Sequence, residues 1–196
     1  MVLKVNNVTN LADARYCAAM GVAYLTFNME RGSLSKVSEA LVLELAPWIA
    51  GSQLVIHCGK DETAAEASSH ALAESIDVVE IEWELRNKIS PDQAVAYTLH
   101  LQSLDNLGTI LEELQQRKSH YLELRLSSDL QTNTHLQKLS AYDLKKIIFH
   151  VDNLDQDFLK QIRSKVYGFA LDENVRMDLQ QLDYDKFEEW IDKMNS

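Results

Sequence analysis

Three histidines, His57, His100 and His150, fall at the ends of short apolar runs, with carboxylates at Glu82 and Asp172 in similar positions. Imidazoles and carboxylates that converge can hold a divalent metal. No local metal motif accompanies them, so no metal is expected, and each histidine is expected to cap its own strand against a neighbouring carboxylate. A second pattern is charge at every other residue: Glu80, Glu82 and Glu84, then Glu123 and Arg125. In an extended chain residues two apart share a face, and charges turned into a packed interior require partners. Glu82 and Arg125 are therefore expected to meet, as ligand contacts at a mouth or as an internal ion pair. The third pattern is the turn Asn6-Asn7-Val8-Thr9-Asn10, rich in amides and placed directly after the first apolar run.

Those residues need a frame that brings strand ends together. Short apolar, β-branched runs alternate with longer amphipathic segments along the whole chain. Strands are predicted at 3–5, 24–27, 54–57, 78–82, 96–101, 121–126, 147–150 and 168–171. Helices are predicted near 11–20, 37–49, 63–75, weakly at 91–95, and then at 104–116, 133–140, 156–164 and 184–194, with 85–90 read as loop. Asn10 is placed to cap the first helix and Gly21 to end it. Phe187, Trp190, Ile191 and Met194 make one apolar stripe at helical spacing, and Tyr16, Tyr24, Trp48 and Trp83 read as helix-to-sheet packing. Alternating strands and helices imply parallel pairing with helices covering the strands. Eight strands, and no glycine-rich dinucleotide fingerprint after the first, favour closure into a (β/α)8 barrel over an open doubly wound sheet. No linker or low-complexity segment interrupts residues 1–196, so one domain is expected.

The net charge of −11 argues against nucleic acid or an anionic membrane as partner. Cys17 and Cys58 show no metal or redox spacing and suggest reduced thiols. With no signal-like or membrane-spanning run, a cytoplasmic protein is expected, monomeric or homodimeric, without a cofactor.

The residues of the first unit carry a resemblance. Lys4, Val5, Asn6, Asn7, Val8, Thr9 and Asn10, followed by Asp13, Ala14, Gly21 and Phe27, are similar to the opening of phosphoribosylanthranilate isomerase, a small (β/α)8 barrel of tryptophan biosynthesis. That family begins K-x-C-G-[IL]-T-[NR]. Val37-Ser38, the VVEIEW run at 78–83 and GFALDENVR at 168–176 stand where the family has comparable segments. The resemblance implies a small-molecule site at the C-terminal ends of the strands. It also implies an Amadori-type isomerisation that needs a general base, the motif cysteine, and a general acid, an aspartate ending strand six.

Position by position, the chemistry departs from that pattern. Asn6 stands at the cysteine position, and a carboxamide takes up no proton near neutral pH. The aspartate position falls near Arg125 or Ser127, with Asp129 two residues away. The family's glycine-rich phosphate turns are replaced by a glycine-free 127–134, by Asp152-Asn153 and by Asp172-Glu173-Asn174. Three carboxylates there repel a phosphate. The expectation is a barrel of this kind that has lost the parent reaction, with an unknown small-molecule ligand at Asn6, Asn7, Glu82, Arg125, Asp152 and Asp172. Two alternatives stand beside it. One is an active isomerase with relocated groups; the other is a metal-dependent enzyme using the histidines.

Overall fold

Short β-branched runs bounded by polar turns do form the strands, and their edges lie within a few residues of the predicted ones. The computed structural model describes residues 1–60, 74–90, 92, 94–127, 130, 135, 138–151, 156–171, 176–178 and 181–195. The strands are β1 (Val2–Val5), β2 (Tyr24–Asn28), β3 (Gln53–His57), β4 (Val78–Glu82), β5 (Val95–Leu101), β6 (Ser119–Leu126), β7 (Leu144–His150) and β8 (Val166–Leu171). They pair in chain order into a closed barrel, β1 through β8. Parallel pairing of β1 with β8, Val2 opposite Gly168 through Val5 opposite Leu171, completes the ring. The fold is the (β/α)8 barrel.

Helices α1 (Leu11–Ala19), α2 (Glu39–Leu45), α3 (Leu107–Gln115), α4 (Gln156–Ile162) and α5 (Tyr184–Asn195) lie between or after the strands. The Asn10 side chain accepts from the Asp13 backbone N–H at 2.9 Å, and Gly21 follows α1 at φ +81°, so both ends of that helix are capped as expected. Asp13 also accepts from the Leu182 N–H (3.0 Å) and the Tyr184 hydroxyl (2.9 Å), tying α1 to the start of α5. Phe187, Ile191 and Met194 are buried against the barrel, as their spacing requires.

Several local expectations need correction. Val95, the last residue of the weak helix predicted at 91–95, belongs instead to β5, and residues 91 and 93 lie outside the described residues. The segment read as loop holds instead a 3₁₀ helix, Trp83–Lys88, whose Trp83 ring meets Tyr97 edge-on at 5.2 Å. Helix α2 stops at Leu45 and gives way to a 3₁₀ turn, Ala46–Trp48, because Pro47 cannot continue an α-helix; this leaves Trp48 65% exposed. A two-stranded antiparallel ribbon, β9 (Arg176–Asp178) with β10 (Gln181–Leu182), precedes α5 and has no counterpart among the predicted elements. Most of the helix predicted at 63–75 and half of that at 133–140 lie outside the described residues.

Two apolar shells account for the packing. The larger joins outward residues of the strands, such as Leu25, Phe27, Ile56 and Phe149, to the helices. The smaller takes one inward residue from each of seven strands: Tyr24, Val55, Val78, Ala96, Tyr121, Ile148 and Ala170, with Val2 of β1 packed against them. Tyr24 is thus a barrel-interior residue and not part of the helix packing. One step of two residues along the same faces leads from this plug to polar groups.

Candidate functional site

Above the apolar plug, β1 projects Lys4 into the barrel, fully buried. Its ammonium donates to Glu80 Oε2 at 2.5 Å and makes a second ion pair with Glu123. Glu80 and Glu123 stand on β4 and β6, so one cation joins three strands. Burial by itself would raise the Glu123 pKa, yet Lys4 and Arg125 override it and hold this carboxyl well below the usual carboxylate range. Glu80 is also lowered, by Lys4 and His57 against its burial. Burial opposes the Lys4 charge, but the two carboxylates win and its pKa is raised.

The outer ring of polar residues rests on this cluster. Asn6, two residues beyond Lys4, donates from Nδ2 to Glu123 Oε1 at 3.1 Å. Arg125 Nε reaches the same oxygen at 3.2 Å. His57 Nδ1 pairs with Glu80 Oε1 at 3.1 Å, and that partnership raises the imidazole pKa although burial works against it. Asn7 sits at φ +61°, a left-handed conformation that asparagine tolerates better than most side chains. Its Oδ1 accepts from Asn28 Nδ2 (3.0 Å) and from Ser35 Oγ (2.9 Å), which anchors the loop after β2 to the β1 turn.

These groups line a pocket of about 440 Å³ at the C-terminal ends of β1 to β6, the face where barrel sites are expected. Asn6, Asn7, Glu82 and Arg125 are all on its wall. Asp152 and Asp172 lie outside the described residues. Ser127 is not on the wall; its N–H donates to the Leu101 carbonyl at 3.2 Å, which spends it on the turn after β6. No Glu82–Arg125 pair forms among the described residues. The internal pairing that the alternating charges demanded is made by Lys4 instead. Glu82 is half-buried; desolvation, and then the neighbouring Glu84 and Glu30 charges, raise its pKa.

The histidines divide. His57 and His100 are on the pocket wall, whereas His150 is buried and acts on Glu123 from β7. Among the described residues, no three His, Cys, Asp or Glu side chains are grouped to hold a metal ion. Sequence reasoning missed Lys4, Glu80, Glu123, Thr26 and Asn28 as parts of this site. The period-two rule could have found them: Lys4 shares a face with Asn6, Glu80 with Glu82, Glu123 with Arg125, and Thr26 with Asn28.

Fold and pocket together define a closed (β/α)8 barrel with a polar well at its C-terminal face. Solved phosphoribosylanthranilate isomerases share this architecture. That from Thermotoga maritima is 14% identical, with a TM-score of 0.77 over all of this chain and 99% of its own. That from Thermus thermophilus is 15% identical, with a TM-score of 0.74 over all of this chain and 98% of its own. A further isomerase structure, in complex with reduced 1-(o-carboxyphenylamino)-1-deoxyribulose 5-phosphate, matches with a TM-score of 0.77 at 14% identity over all of this chain and 99% of its own. At these identities the likeness is one of fold. No protein-family profile and no curated protein matches the sequence.

Proposed function

We propose that the chain is a phosphoribosylanthranilate isomerase-like barrel that no longer performs the isomerisation and instead holds a small polar molecule at its mouth. One observation carries this reading. Where the resemblance calls for a cysteine base there is Asn6, and the carboxylate facing it is Glu123, held ionised by Lys4 and Arg125. An amide accepts no proton, and a carboxylate kept in its charged form at neutral pH has none to donate. The wall adds Glu30, Glu82 and Glu84, which oppose a ligand bearing a carboxylate and a phosphate such as the one in the neighbouring complex. The acidic composition and the two buried free cysteines accord with a cytoplasmic protein, monomeric or homodimeric, whose partner is neither nucleic acid nor membrane. No helix of the described residues is long and apolar enough to cross a membrane.

The test is direct. Purified protein is incubated with phosphoribosylanthranilate, and the gene is introduced into a strain lacking the isomerase. Neither turnover nor growth without tryptophan is expected; robust growth overturns the proposal. A second reading, isomerisation by relocated groups, draws on one feature: His57 lies on the pocket wall with a carboxylate behind its Nδ1. If turnover is found and Asn6 variants retain it while His57→Asn abolishes it, that reading replaces the first.

A further inference from the structure

The pocket wall carries two unmet needs. Glu30, from the loop after β2, Glu82, ending β4, and Glu84, in the 3₁₀ turn, stand along one edge with Lys60. Burial and the other two carboxylates work against the Glu82 charge, and His57 and Lys60 offset them only in part, since its pKa remains raised. A cationic group placed against this edge relieves the repulsion. On the same wall, β2 turns the Thr26 side chain inward. That residue is 2% exposed, and its hydroxyl finds no hydrogen-bond partner among the described residues. A buried hydroxyl left unpaired carries an uncompensated desolvation cost, and such groups in native proteins call for an explanation. A hydroxyl of a bound molecule supplies one. Thr98 extends the same wall with a second hydroxyl that suits a polyol.

We propose that the mouth binds a small polyhydroxylated amine, of the amino-sugar class, with its ammonium group against the Glu30–Glu82–Glu84 edge and a hydroxyl against Thr26. The inference rests on the reading of the mouth as a small-molecule site and names what that site takes. A pocket of about 440 Å³ lies in the range of small-ligand sites. Anionic sugars are disfavoured by the same edge that draws the amine, so the selectivity runs opposite to that for a sugar phosphate.

The experiment titrates the full-length protein near neutral pH with D-glucosamine, D-glucose and D-glucose 6-phosphate by isothermal calorimetry. Glucosamine is expected to bind about tenfold tighter than glucose, a preference the size of one partly screened charge contact. Glucose 6-phosphate is expected to bind weakest. Glu82→Gln removes most of the preference for glucosamine over glucose. Thr26→Val weakens both sugars by a similar factor, and because it replaces an unpaired hydroxyl with a methyl it leaves the melting temperature equal or higher. Equal affinity for glucosamine and glucose, binding of none of the three, or preference for the phosphate each overturns the inference. Turnover of phosphoribosylanthranilate, by contrast, defeats the lost-isomerase reading and leaves the amine preference to be decided by these titrations.

Discussion

Lys4 is the residue on which the interior depends. Replacing it with methionine strands Glu80 and Glu123 without their shared cation, and removing one side of a buried ion pair typically costs about 3–5 kcal/mol. Urea unfolding of Lys4→Met measures that loss. The triple variant Lys4→Met, Glu80→Gln, Glu123→Gln is expected to regain part of it, since no fully buried charge is left alone, while Arg125 and His57 lose their carboxylate partners. Asn6→Cys tests the neighbouring position: a thiol there still faces an ionised carboxylate, so no isomerase turnover is expected in a coupled assay. The amide at Asn6 could be read from the sequence because it interrupts a recognisable run. The work of Lys4 is harder to read, because its partners Glu80 and Glu123 lie on strands that come beside it only when the barrel closes. A lysine at the start of a strand reads as exposed unless closure of the barrel is taken into account.

At the level of elements, the seam between β1 and β8 is the tightest constraint. A Cβ at Gly168 stands 2.2 Å from the Val2 carbonyl oxygen, a backbone atom that cannot move without reshaping the pair. Gly168→Ala is expected to destabilise by on the order of 3 kcal/mol, the upper part of the overpacking range. Gly108, inside α3, has only the Tyr142 ring at ordinary contact distance, so Gly108→Ala is expected to be neutral or stabilising by up to about 1 kcal/mol. Thermal melts of the two variants side by side check both signs. Strands were legible because β-branched runs between turn residues have one reading. The connection after β4 was not. Trp83 is drawn under Tyr97 by tertiary packing, and that contact, rather than local propensity, winds residues 83–88 into a 3₁₀ helix. Trp48 failed for a local reason that the sequence did contain, a proline one residue before it.

The whole molecule should carry the signature of its interior charges in its response to pH. Glu80 and Glu123 have folded-state pKa values lowered from 4.5, so their contribution is present above that pH and disappears as the pH falls through the lowered values. Lys4 is raised from 10.5, so its contribution is complete below that pH and disappears as the pH climbs through the raised value. The difference in melting temperature between the wild type and the triple variant is therefore expected to change below pH 4.5 and above pH 10.5. It is expected to fall also as the pH rises from 6.5 through the raised His57 value, because Glu80→Gln removes the partner that holds that imidazole charged. A difference that stays flat from acid to alkaline pH would contradict this assignment. Closure of eight strands was readable from their number and order, and the location of the mouth followed from closure. The hydroxyl and carboxylate wall, assembled from six strands whose register no single segment encodes, was only partly readable. One consequence follows from the ring of Val2, Tyr24, Val55, Val78, Ala96, Tyr121, Ile148 and Ala170. It stoppers the far end, so the cylinder is a cul-de-sac and not a conduit. Any guest, and the solvent it displaces, must come and go by one doorway, and residence time is governed there alone.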